Sequence, residues 1–191
     1  MTNPPFPQWT DQSQDAQFVL PGTFAAKSSR LETTVRRRNA LEYGVGLFCI
    51  AVFGWVAWLT ASAGAFLMSA GWIVLIIGVI VVLANLTRIA SNLERRPELD
   101  CRSHLRAQLV RQKQALNSVT SWYLAPLVPG MVLVLGAAAT QVAGEIGWLK
   151  ALAGTAPSAM FVVLVFGAVR WLNHRAARKL AAEINRLDAL E

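Results

Sequence analysis

Charge is missing over lengths that no soluble helix leaves uncharged. No Asp, Glu, Lys, Arg or His occurs between Tyr43 and Thr87, between Gln114 and Gly144, or between Ala151 and Val169, and only 15% of the residues are charged against 54% hydrophobic. A soluble amphipathic helix keeps a polar stripe opposite its buried face, and Phe66 to Leu86 has none. Cysteine is almost absent as well. Cys49 and Cys101 fall at different expected depths, which excludes a disulfide framework. Sequence signatures of catalysis are missing: there is no G-x-S-x-G, no H-E-x-x-H and no phosphate-cradling glycine loop. No enzyme activity and no cofactor are therefore expected. Cys101-x-x-His104, with His174 far along the chain, falls short of the four ligands a structural zinc takes, so no metal site is expected either. Ionisable groups at bilayer depth, the usual pathway of coupled transport, are lacking too. The polar residues inside the runs, Thr60, Ser69, Asn85, Thr140, Gln141 and Ser158, read as packing groups.

What is present fits a bilayer. About 20 apolar residues cross a hydrocarbon core of about 30 Å, so the first charge-free run holds two spans and the other two hold one each. The expected fold is all-α: a polytopic membrane protein with four transmembrane helices in two hairpins, at about 41–60, 66–86, 122–142 and 157–172. Cytoplasmic helices at about 100–121 and 173–190 extend the third and fourth spans, the former running into its span without a break. Residues 1–34 read as a disordered cytoplasmic leader, polar and without helical period. A tight turn at about 61–65 and a longer outer loop at about 143–156 close the hairpins. Of the 18 Lys and Arg, only Lys150 lies in an outer loop. That bias places both termini and the middle loop in the cytoplasm. Tyr43, Trp122, Tyr123 and Trp171 then fall at inner boundaries, and Trp55, Trp58, Trp72 and Trp148 toward the outer ones, as interfacial aromatics do. The net charge of +7 sits beside the spans, which points to anionic lipid head groups rather than to nucleic acid.

Three sets of residues stand out. Glu42 and Arg170 abut the apolar runs at inner span ends and form a candidate interface charge pair; Glu42 also has Arg38 at i−4 on its own helix. Pro126, Pro129 and Gly130 form a candidate kink, because each proline removes a backbone donor from the third span. Leu105, Leu109, Leu116, Val119 and Tyr123, with Gln112 among them, make a heptad seam before that span. Leu172, Ala176, Leu180, Ile184 and Leu187 make a broader stripe after the fourth. Leu109 lies thirteen residues before Trp122 and Ile184 thirteen after Trp171, so both project about 20 Å beyond the span ends. The two stripes are expected to pack antiparallel, the alternative being that each lies on the lipid surface. Gly71 and Gly78 share a face, one heptad apart, and allow close helix approach.

Arg36-Arg37-Arg38-Asn39, a His- and Gln-rich loop helix, Trp122-Tyr123-Leu124-x-Pro126-Leu127-Val128-Pro129-Gly130 and Trp171-Leu172-Asn173-x-Arg175-Ala176-Ala177-Arg178 occur in that order. In these features the chain resembles a family of small, uncharacterised proteobacterial inner-membrane proteins with four transmembrane helices. The resemblance runs from about residue 35 to the end and implies a location in the inner membrane but no mechanism. It omits the leader, leaving open a start near Val35. The functional expectation is a non-enzymatic membrane module that presents cytoplasmic helices to a protein partner or to a second copy, in a regulatory or envelope-associated role. The alternative is a small transporter or channel subunit with a path near the proline-containing third span.

Overall fold

The computed structural model describes residues 21–93 and 101–189, and every element among them is helical. Helix α1 spans Pro21–Ser62, α2 Phe66–Ile89, α3 Cys101–Asn117, α4 Val128–Ile146 and α5 Trp148–Asp188. A wide π turn, Thr120–Leu124, and a tight 3₁₀ turn, Ala125–Leu127, join α3 to α4. Four stretches are long and apolar enough to cross a membrane: Ala26–Ser62, Phe66–Ile89, Thr120–Ile146 and Trp148–Asp188. Their outward faces are apolar. Phe161, Val163 and Leu164 on α5 are 67%, 69% and 63% exposed, and Phe48 on α1 is 68% exposed. A surface of this kind is stable against lipid and aggregates in water.

The apolar stretches pack as a row in the order α1, α2, α4, α5. Residues 63–65 turn α1 back on α2, with Gly64 at φ 79° and the Ala65 amide donating to the Thr60 carbonyl at 2.8 Å. Ser69 Oγ donates to the Ala57 carbonyl at 2.9 Å, tying the two helices just below the turn. Close approach of α2 and α4 depends on glycine. A Cβ at Gly78 would lie 2.5 Å from the Pro126 carbonyl oxygen, and one at Gly71 would lie 2.9 Å from the Val134 amide. Beyond the row, α3 packs along α5 and also against α1, forming a helical head at the end opposite Gly64 and Gly147.

Three features differ from the sequence reading. Residues 21–34 of the expected leader are helix, continuous with α1, while residues 1–20 lie outside the described part. The contact face of this arm carries Ser28, Leu31, Glu32, Val35 and Asn39, with Ser28 and Val35 buried. So polar a face gives no hydrophobic period, and tertiary contact supplies the stability that propensity lacks. The expected outer loop at 143–156 shrinks to Gly147, whose φ of 82° reverses the chain in one residue. The α3 helix does not run unbroken into the third span; it stops at Asn117 and gives way to the π and 3₁₀ turns. Pro126 and Pro129 fall in the first turns of the 3₁₀ segment and of α4. There a missing N–H costs least.

Candidate functional site

The head is built on two faces of α3. On one, Leu105 and Leu109 meet Ile184 and Leu187 of α5 in a buried cluster, with Leu31, Val110 and Leu180 packed against it. The helices run antiparallel there. Arg102 donates to the Leu187 carbonyl at 2.6 Å, and Arg106 holds Asp188 through two bonds of 2.7 and 3.1 Å. The Arg106 guanidinium, by that hydrogen bonding, holds the Asp188 carboxyl below the ordinary aspartate value of 3.8.

The other face is a polar ladder at i, i+4 and i+8: His104, Gln108 and Gln112, all buried. Gln108 accepts from the Leu93 amide at 2.8 Å and donates to Asn92 Oδ1 at 2.6 Å; Asn92 in turn donates to the Glu32 carbonyl at 3.0 Å. Gln112 donates to the Ala90 carbonyl at 3.3 Å, which also accepts from Asn39 at 3.2 Å. Arg111 donates to the Arg88 carbonyl at 2.8 Å. These side chains satisfy carbonyls that the end of α2 would otherwise leave bare. His104 Nε2 stands 3.5 Å from Glu32 Oε1, which accepts from Ser28 Oγ at 2.9 Å. The ladder thus fastens the α1 arm and the exit of α2 to α3. Trp122 continues the joint: it packs with Leu86, Ala90 and Ala115, and its Nε1 donates to the Ala115 carbonyl at 2.9 Å.

The proline-containing segment is packed and bonded. In an uninterrupted helix the amide of residue 126 would serve the carbonyl of Trp122, and proline has none to give. Asn85 Nδ2 donates to that carbonyl at 3.1 Å. Gly130 sits against α2, where a Cβ would lie 2.6 Å from the Leu75 amide. Beside this segment lies an apolar cleft of about 140 Å³, lined by Gly46, Cys49 and Phe53 of α1, Val79 of α2, Leu127 and Met131. Glu42 and Tyr123 stand at its end toward the head.

Glu42 forms a 3.4 Å ion pair with Arg38, its neighbour one turn earlier. It is not joined to Arg170. Val169 and Asn173 line a small gap with Arg38 and Glu42, whereas Arg170 is exposed. Residues 169 and 173 share a helix face, and residue 170 is rotated about 100° from the first and about 60° from the second. Of the seam residues, Leu105, Leu109 and Val119 are buried; Leu116 is half-buried and, with Val119, borders the same gap. Tyr123 borders that gap too and also lines the apolar cleft. His104 stands beside Glu32, His174 is half-buried on α5, and the Cys101 side chain lies outside the described part. Sequence reasoning counted Gln112 in the seam and Asn85 among the packing groups, but missed the ladder and the carbonyl that Asn85 serves. The spacing of His104, Gln108 and Gln112 was the available signal for the first, and Asn85 opposite a proline for the second. Comparison of the chain with family models, curated proteins and solved structures finds no match.

Proposed function

We propose that the chain is a non-enzymatic inner-membrane protein of bacteria, crossing four times in two hairpins with both termini cytoplasmic, whose cytoplasmic head docks a protein partner. The orientation rests on Lys and Arg, all but one of which lie toward the head or in the segments flanking it. The resemblance to small proteobacterial inner-membrane proteins supports the same location. The observation that carries the docking role is the buried cluster of Leu105, Leu109, Ile184 and Leu187. It stands about 20 Å beyond Trp122 and Trp171, counted along helices of 1.5 Å rise per residue. A head fixed at that height by apolar packing and a polar ladder is a display surface. Its outward sides are basic, with Arg88 and Arg111 on one and Arg175, Arg178 and Lys179 on the other. Arg175 stacks over Trp171 with its guanidinium carbon 5.3 Å from the ring centre. The basic residues nearest the spans face anionic head groups, and those farther out suit an acidic protein surface.

The close fit of Gly78 on Pro126 and the bond from Asn85 weigh against a solute path through the proline segment. Photo-crosslinkers placed at Lys179 and Arg111 in native membranes test the docking role. A defined protein adduct from those positions, and none from Leu152, is the expected outcome. Solute or ion flux through purified protein in liposomes, abolished by Pro129→Leu, would replace docking by transport.

A further inference from the structure

Helices α1 and α4 both lie along α2 and hardly touch each other, and the apolar cleft occupies the space between them. Its mouth is beside Val45, which is 61% exposed on the outward face of α1, so the bilayer itself fronts the opening. From Glu42 to Phe53 the cleft follows α1 for eleven residues, about 16 Å. That is roughly half of a 30 Å hydrocarbon core, the depth of one leaflet. The volume of about 140 Å³ is close to that of apolar cavities that take up a benzene-sized group, about 150 Å³. It takes up a segment of about six carbons of one hydrocarbon chain, the rest of which would lie along the open side in the bilayer.

The end toward the head is chemically specific. Glu42 Oε2 is buried with no hydrogen-bond donor among the described residues, while Oε1 faces Arg38 at 3.4 Å. A buried carboxylate oxygen without a donor is costly. Arg38 lies one turn below Glu42 on the same helix face, with its side chain a third exposed. We propose that the cleft holds a segment of one acyl chain of a phospholipid with a primary-ammonium head group, whose N–H donates to Glu42 Oε2 and whose phosphate lies toward Arg38, one turn below on the same helix face. The charges match: carboxylate to ammonium, guanidinium to phosphate. A quaternary ammonium has the charge without the N–H donor, and a glycerol head has the donor without the charge. The orientation proposed above enters only in naming the leaflet as the inner one.

Native mass spectrometry of the full chain in detergent, given an equimolar mixture of ethanolamine, choline and glycerol phospholipids with identical chains, tests this. A hydrogen bond to a charged group predicts roughly tenfold preference for the ethanolamine lipid over the choline lipid. Glu42→Gln, which keeps the shape, should abolish that preference. In a Cys101→Ser background, alkylating Cys49 on the folded protein with a bulky maleimide should remove retention of all three lipids. Equal retention of the choline lipid, preference for the glycerol lipid, or a preference that survives Glu42→Gln would overturn the proposal. Unchanged retention after Cys49 is capped would also overturn it, by placing the lipid elsewhere. None of these results depends on which side of the membrane the head occupies.

Discussion

Replacing Asn85 by Leu removes the one side chain that answers Pro126. The Trp122 carbonyl would then keep neither its helical amide, which proline lacks, nor the 3.1 Å bond from Asn85 Nδ2. Side-chain hydrogen bonds between membrane helices are worth about 0.6 kcal/mol on average and about 1.7 at most. The modest average reflects alternative partners. This carbonyl sits where the helix ladder is broken, so the upper end applies: about 1.5 kcal/mol, or roughly tenfold in the unfolding equilibrium. The diagnostic is a double-mutant cycle with Pro126→Ala, which returns an amide to the ladder. Asn85→Leu should cost about 1 kcal/mol less in the Pro126→Ala background, because the carbonyl is then served from its own helix. Unfolding in mixed micelles, followed by tryptophan fluorescence, reads both values. Additive costs would refute the assignment of Asn85 to that carbonyl.

Close packing of α2 on α4 makes Gly78→Ala expensive, since its Cβ would meet the Pro126 carbonyl oxygen at 2.5 Å. A loss of about 1–3 kcal/mol is expected in the same micelle assay, with Gly44→Ala, which meets nothing within 4 Å, as the unaffected control. With Cys49 and Cys101 changed to Ser, Leu109→Cys and Ile184→Cys should crosslink within one chain under mild oxidation, since both residues belong to one buried cluster. Crosslinks only between chains would move that cluster to an oligomer interface. The Asp188 carboxyl is held below 3.8 by Arg106, so its contribution to stability is full above the unfolded value and lost as pH falls through the lower folded value. The protection of amides at the end of α5, taken relative to the intrinsic exchange rate at each pH, should therefore fall on acidification below about 3.8. Asp188→Asn should remove that pH dependence.

The spans were legible because charge cannot be hidden in hydrocarbon: the gaps in charge after Glu42 and after Lys113 mark helices whatever their neighbours. The head cluster was legible for a related reason, since Leu105, Leu109, Ile184 and Leu187 keep helical spacing among polar residues. The α1 arm was not, because Ser28, Glu32 and Asn39 dock through hydrogen bonds that leave no hydrophobic period. The outer loop was overestimated because a sequence does not show that Gly147 alone turns the chain. Glu42 had two basic candidates, and only the rotation of α5 put Arg170 outward. The cleft is a property of topology. It exists because α1 and α4 share α2 as a neighbour without sharing each other, and no local pattern encodes that.

The central claim is a four-span protein whose helical head faces the cytoplasm, and reporter fusions in living cells test it most directly. A reporter active only outside the cytoplasmic membrane should be active when fused after Ala63 or Lys150. The same reporter should be silent after Arg96 or Glu191. The reversed pattern would put the head outside, and activity after both Arg96 and Lys150 would remove at least one of the four crossings.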